Sequence, residues 1–106
     1  MKLIETAGLE TALAEFARAR DWEKFHAPKN LAMALSVEVA ELVEIFQWST
    51  DAESRAIMST GQADHVGQEL ADIAMYLVRL SSVLGVDLND AVARKLALNA
   101  QKYPAP

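Results

Sequence analysis

The stretch that decides the fold is residues 30–48, which read NLAMALSVEVAELVEIFQW. Successive residues of an α-helix are rotated by about 100°. This rotation gathers five large apolar side chains on one face: Leu31, Leu35, Leu42, Ile45 and Phe46. The pattern predicts an amphipathic helix with Asn30 as its N-cap. We expect it to continue to about Trp48, because the pattern breaks at residues 49–51.

Three further helices are predicted around this one. They cover about residues 5–20, 64–84 and 87–102, with a loop at 21–29 and a weak helical turn at 52–58. Gly85 follows the third helix at a C′-like position, and Asp87 begins the fourth with Asp90 three residues on. No run alternates with period two over the length of a strand. The expected fold class is therefore all-α, most simply a four-helix bundle.

Length and charge limit the classes of function. The 106 residues include 10 Lys and Arg against 15 Asp and Glu, for a formal net charge of −5. A chain of this length forms one domain, here residues 1–106. The acidic balance argues against binding to polymeric nucleic acid, whose phosphates carry the same sign of charge. The acidic charge remains compatible with binding of a small anion whose own charge is neutralised by a metal ion. The absence of Cys excludes disulfides, thiolate zinc sites and a cysteine nucleophile.

The sequence gives no indication of a membrane segment. No stretch approaches the roughly 18 uncharged apolar residues that a membrane-spanning helix needs. Glu5 stands where a signal peptide would need its apolar run. We therefore expect a cytoplasmic protein.

One carboxylate interrupts the apolar face of the second helix. Glu38 falls among the large apolar residues, Glu41 lies about 60° to one side of it, and Glu44 lies about 60° further on. Burying an unpaired carboxylate costs several kcal/mol. Glu38 therefore needs a partner, a proton or a metal ion.

The third helix carries a matching pair, Glu69 and Asp72, at the border of its apolar stripe. If the second and third helices pack antiparallel, Glu38, Glu41, Glu69 and Asp72 can converge. Four clustered carboxylates repel one another unless cations lie among them. Oxygen ligands without Cys favour a hard cation, Mg²⁺ or Mn²⁺.

A purely structural interpretation competes with this one. Acids three residues apart are common on solvated helix faces, and either pair alone would be interpreted in that way. The coincidence of two pairs, one of them with Glu38 inside an apolar stripe, favours a metal site. We interpret Glu44 as a surface or supporting residue.

Together these residues resemble the MazG-like nucleotide pyrophosphohydrolases. The resemblance rests on Glu38-x-x-Glu41 and Glu69-x-x-Asp72, which are separated by 27 residues. It extends to segments similar to the dCTP pyrophosphatase branch: RDWEKFH at 20–26, PKN at 28–30, FQW at 46–48, Lys95, Asn99 and KYP at 102–104.

The resemblance implies an all-α fold and Mg²⁺-dependent hydrolysis of a nucleoside triphosphate to a monophosphate and pyrophosphate. It also implies a homo-oligomer, a dimer or a tetramer, with each site near a subunit interface. The metal ligands would be Glu38, Glu41, Glu69 and Asp72. Glu41 is our preferred acceptor of the water's proton, since it lies nearer the polar margin, although the sequence does not decide between it and Glu38.

Candidate phosphate ligands lie on the fourth helix. Lys95, Asn99 and Lys102 form one polar edge, which would otherwise be a solvated helix end with favourable dipole interactions. Tyr76, one turn beyond Asp72, is either a core residue or a phosphate donor.

Aromatic residues outside the helical stripes are candidates for base binding. Trp22, His26 and Trp48 would stack on or lie beside a base, although rings near helix ends usually fill the core. His65 is interpreted as a surface residue. Leu13 stands where some dCTP-preferring members carry a His, so we expect a preference for dCTP and related pyrimidine deoxynucleotides that is broader than in those members.

Three alternatives are considered. A di-iron bundle would require Glu-x-x-His, which neither acid pair provides. A phosphoribosyl-ATP pyrophosphohydrolase would share the fold, but it fits the Trp-containing segments less well. A non-catalytic module would use the apolar second helix for assembly alone. Because the second helix is apolar on nearly all sides and three partner helices cannot cover it, the sequence predicts an oligomer.

Overall fold

The computed structural model describes residues 2–106 and is all-helical over that range, as predicted. Its α-helices are α1 (Ala7–Ala19), α2 (Pro28–Phe46), α3 (Asp51–Arg55), α4 (Ala63–Leu84) and α5 (Leu88–Lys102). Two short 3₁₀ turns, Glu23–Phe25 and Ile57–Ser59, lie between them. No helix within the described range is both long and apolar enough to cross a bilayer.

The central unit is the pair of long helices α2 and α4, against which α1 packs. His26, just before α2, contacts Arg79 near the end of α4. Glu38, in the middle of α2, lies beside Glu69 near the start of α4. The two helices are therefore antiparallel, which is the condition under which the selected acids can converge. Their small core includes Ala17, Leu31, Val66 and Val78.

The start of α2 differs from the prediction. Its N-cap is Ala27 in an extended conformation, with Pro28 at the first helical position. Proline is favoured there because its fixed φ suits the helix and its missing N–H would be unpaired anyway. Asn30 is thus inside the helix, and its Nδ2 donates to the Phe25 carbonyl oxygen at 3.0 Å. The predicted N-cap was wrong because the proline was interpreted only as a helix breaker.

The other helix caps and ends follow the sequence closely. Thr50 caps α3 in a capping box with Glu53, which explains why the helical pattern breaks just before it. Gly85 ends α4 with φ +71°, a left-handed conformation in which glycine has no side-chain penalty. Asp87 caps α5 by accepting from the Asp90 backbone N–H at 3.0 Å.

The four main helices do not close into a compact bundle within one chain. The radius of gyration is 16.6 Å, whereas a compact domain of this length has about 13 Å. The accessible surface is 7810 Å², against about 5800 Å² for a monomer of this mass. α5 packs only sparsely on the other helices and buries no residue. Apolar side chains more than half exposed include Met33, Val37, Leu70, Leu96 and Leu98.

Candidate metal site and adjoining cavity

Three carboxylates meet between α2 and α4. Glu38 and Glu41 lie one turn apart on α2, and Glu69 faces them from α4. One carboxylate oxygen from each lies within 4.8 Å of the others. We call these three residues the acidic cluster. The structure thus brings together three of the four acids that the sequence selects.

Glu38 is the most perturbed member of the acidic cluster. Burial, hydrogen bonding with Glu69 and Glu41, and the negative charges of Glu41 and Asp72 raise the pKa of Glu38 to about 7. Oε2 of Glu38 and Oε2 of Glu69 are both buried, and neither has a hydrogen-bond partner in the described part of the chain. Buried acceptors without donors are normally compensated by a cation or a proton. The donor set therefore fits a hard divalent cation.

Asp72 links the acidic cluster to a neighbouring cavity. It lies one turn beyond Glu69 on α4, and its negative charge contributes to the raised pKa of Glu38. Its side chain also lines the cavity. Asp72 is therefore positioned to share a ligand between the two regions.

His65 is exposed, as predicted, but it contacts the acidic cluster. Its Nε2 lies 3.4 Å from Oε1 of Glu69, and its Nδ1 lies 3.3 Å from Oε1 of Gln62. Because Glu69 is itself buried, His65 can hold the orientation of that carboxylate from the solvent side. Glu44 is exposed on α2.

The cavity beyond Asp72 has a volume of about 310 Å³ and is lined mainly by apolar and aromatic side chains. Its wall includes Leu13, Phe16, Trp22, His26, Leu31, Asp72, Met75, Tyr76 and Arg79. The rings of Phe16 and Trp22 meet edge to face, with centroids 5.7 Å apart. Three predicted substrate residues, Trp22, His26 and Tyr76, thus line one cavity. An apolar, aromatic-lined wall with a few polar groups suits an aromatic ligand.

Arg79 is a cavity residue that the sequence analysis did not select. Its Nε donates to Nδ1 of His26 at 3.1 Å. Burial, followed by the Arg79 charge, lowers the pKa of His26. The sequence pattern could have indicated Arg79. Helical geometry places it within an arc of about 80° that also contains Glu69, Asp72 and Tyr76.

Four predicted substrate residues lie elsewhere in the single chain. Trp48 is 89% exposed and follows the C-terminal end of α2, whereas His26 precedes its N-terminal end. The 19 residues of α2 separate these ends by about 28 Å. Lys95, Asn99 and Lys102 lie on the sparsely packed α5, and none of them lines the cavity. One chain therefore forms the acidic cluster and the cavity without placing any of these four residues in the cavity wall.

The fold and the site define an all-α protein with a carboxylate cluster beside an aromatic-lined cavity. The family model described as the MazG-like family matches residues 33–106. That range contains the whole acidic cluster and α5. The chain belongs to the MazG-like family, as its sequence motifs predict.

The chain is similar to proteins named dCTP pyrophosphatase 1. It is 47% identical to the Homo sapiens protein over 93 residues, which are 87% of this chain and 55% of that protein. It is 47% identical to the Rattus norvegicus protein over 92 residues, 86% of this chain and 54% of that protein. The chain thus spans about half the length of these mammalian relatives.

A solved structure has the same fold. The crystal structure of a pyrophosphatase from Archaeoglobus fulgidus DSM 4304 superposes with a TM-score of 0.86 and 41% sequence identity. The match covers 92% of this chain and 91% of that one. The open arrangement of helices therefore has a counterpart in a protein of similar length.

Proposed function

We propose that the protein is a Mg²⁺-dependent nucleoside triphosphate pyrophosphohydrolase. It converts a (d)NTP and water to a (d)NMP and pyrophosphate, and it favours dCTP. The observation that carries this proposal is the pair of buried, unpartnered oxygens on Glu38 and Glu69 beside a cavity lined by Trp22 and His26. The similarity to proteins named dCTP pyrophosphatase 1 supports both the reaction and the base preference.

The metal ligands in this proposal are Glu38, Glu41, Glu69 and Asp72. When bound, the cation, Mg²⁺ or alternatively Mn²⁺, would neutralise the negative charge that develops on the phosphate oxygens. Glu41 accepts the proton of the attacking water as the bond between the α- and β-phosphoryl groups breaks and pyrophosphate leaves. Because its pKa is raised to about 7, Glu38 would carry a proton near neutral pH in the cation-free site and would be a ligand in its ionised form.

The base and sugar occupy the cavity. Trp22 stacks on the base, while His26 and Tyr76 offer polar contacts at its edges. Since Asp72 lines the cavity and its charge acts on Glu38, an extended nucleotide would reach from the acidic cluster into the cavity past Asp72.

The active form is a homo-oligomer, a dimer or a tetramer. The large exposed apolar surface supports this, because obligate interfaces bury about 2000 Å² or more. A second copy then brings Trp48, Lys95, Asn99 and Lys102 to the site, where the cations and the amide hold phosphate oxygens. Light scattering at micromolar concentration should give a multiple of the 11.6 kDa chain mass. A stable monomer would contradict the oligomer.

Product analysis with a panel of nucleotides tests the reaction. The panel contains the common ribo- and deoxyribonucleoside triphosphates and phosphoribosyl-ATP, each with Mg²⁺, and pyrophosphate and orthophosphate are measured separately. We expect pyrophosphate and a monophosphate, with dCTP turned over most efficiently. Release of orthophosphate, or preferred turnover of phosphoribosyl-ATP, would refute the assignment. Lack of turnover by a folded oligomer would favour the non-catalytic module.

A further inference from the structure

Arg79 places a positive charge at the wall of a largely apolar cavity. Its Nε–H donates to His26 at 3.1 Å, and this is the one hydrogen bond of its side chain within residues 2–106. A guanidinium carries five N–H donors. The other four therefore remain for solvent or for a ligand in the cavity that Arg79 lines.

The same hydrogen bond fixes the proton of His26. Because Nδ1 accepts from Arg79, the neutral ring carries its hydrogen on Nε2. Burial and the Arg79 charge lower the pKa of His26, and the only opposing charge resolved there is that of Glu23. Asp72 and Tyr76 are the other titratable groups that line this cavity. His26 thus stays neutral and offers an N–H donor.

We propose that Arg79 is a specificity-determining residue that, with His26, presents a donor edge selecting cytosine over uracil and thymine. This inference rests on the proposed function and names the feature that reads the base. Ten residues of α4, about 15 Å, separate Glu69 from Arg79. A nucleotide with its phosphates at the acidic cluster therefore places its base toward Arg79.

The selectivity follows from the pattern of donors and acceptors on the bases. Cytosine presents two adjacent acceptors, O2 and N3. Uracil and thymine carry a hydrogen on N3, so a protein donor there would meet a second donor. A buried donor left without an acceptor is expensive, and a site built for hydrogen bonding rejects a ligand that lacks the matching group.

The test compares Arg79→Met with a matched control, Arg18→Met, which removes an exposed arginine of α1. Steady-state kinetics with dCTP, dUTP and dTTP give kcat and KM for each. We expect Arg79→Met to lower kcat/KM for dCTP about 10-fold or more, mainly through KM. The values for dUTP and dTTP should change much less, so that the preference collapses. Arg18→Met should keep the preference.

A second measurement does not depend on turnover. NMR of the His26 ring in the free protein should show the Nε2–H tautomer in the wild type. In Arg79→Met that bias should be lost and the His26 pKa should rise, while Arg79→Lys, which keeps the charge, should show the smaller rise. Circular dichroism confirms that each variant is folded.

The outcomes separate this inference from the proposed function. An equal loss for all three nucleotides would mean that Arg79 holds phosphate or supports the fold, and it would overturn the inference while the pyrophosphohydrolase stands. An unchanged His26 tautomer would also overturn it. No pyrophosphate release from any nucleotide by the wild type would instead refute the proposed function.

Discussion

Toward one end of the α2–α4 pair, buried acceptors lack donors, whereas toward the other end a half-buried cation, Arg79, has more donors than partners. The acidic cluster of Glu38, Glu41 and Glu69 leaves two carboxylate oxygens unpaired. The cavity end pairs Arg79 with His26 and surrounds them with apolar walls. In the proposed function, a cation-bound nucleotide would satisfy both ends, because the cation brings positive charge to the acids and the base brings acceptors to the donors.

The two ends also differ in how they are built. Members of the acidic cluster lie on regular helices, and Glu38 and Glu41 are fixed by their spacing on α2. The cavity combines α1, a loop and α4, so that its shape depends on tertiary packing. Substitutions in the acidic cluster should therefore lower mainly kcat. Substitutions in the cavity wall should mainly raise KM.

The largest effect is expected at Glu38. Glu38→Gln removes a ligand charge, and we expect kcat to fall about 10²–10³-fold, as when a preorganised charge-stabilising group is lost. The fold should survive, since the change relieves repulsion among buried acids. Turnover and thermal melting are measured together.

The matched control for this variant is Glu44→Gln, because Glu44 is exposed on the same helix. It should retain turnover close to that of the wild type. If both variants are fully active, the acidic cluster is not the metal site. If Glu38→Gln fails to fold, Glu38 has a structural role that this interpretation excludes.

Removing Trp22 should affect binding. Stacking on a base contributes about 1–3 kcal/mol, so Trp22→Ala should raise KM about 10-fold or more with a smaller change in kcat. Phe25→Ala is the control, because Phe25 is exposed in the adjacent turn and does not line the cavity. A kcat effect larger than the KM effect would place Trp22 with the chemistry instead of the base.

Much of the acidic end follows from sequence because helix geometry is regular. Acids three residues apart must lie on one surface, and the antiparallel arrangement of two apolar stripes brings Glu38 close to Glu69. The end of α4 and the start of α5 could also be predicted from sequence, since Gly85 and Asp87 act through local backbone chemistry. The start of α2 was missed because Pro28 suits two positions, one that breaks a helix and one that begins it.

The cavity end was less predictable because its key contact joins residues far apart in sequence. His26 and Arg79 meet only when the loop before α2 folds against the end of α4. Trp48 was expected near Trp22, yet α2 separates it from the cavity in one chain. The position of α5 is no better predicted by sequence, since α5 packs only sparsely on the other helices of its own chain and buries no residue.

Trp48 tests whether a second copy completes the site. Trp48→Ala should raise KM about 10-fold if the ring stacks on the base. Mixing this variant with Glu38→Gln should then restore activity, because some mixed sites combine an intact acidic cluster from one copy with an intact Trp48 from the other. Mixtures with no recovery after verified subunit exchange would place Trp48 outside the site.

The smallest effect concerns the stability of the cation-free protein. The pKa of Glu38 is raised from 4.5 to about 7, so between these values the folded state holds a proton that the unfolded state releases. Stability should therefore fall as pH rises through this window, because the folded state binds more protons. The lowered pKa of His26 makes stability rise with pH instead, but both the wild type and Glu38→Gln contain His26, so its effect cancels in the comparison. Melting both proteins in EDTA at pH 5.5 and pH 8 isolates the Glu38 contribution as the difference between them.

Between pH 5.5 and pH 8, we expect the melting temperature of the wild type to fall a few degrees more than that of the variant. Mg²⁺ should recover that loss at pH 8, since the cation replaces the proton at the unpaired oxygens. Parallel melting behaviour in EDTA would mean that Glu38 is ionised at both pH values and that the acidic end is already compensated without a cation.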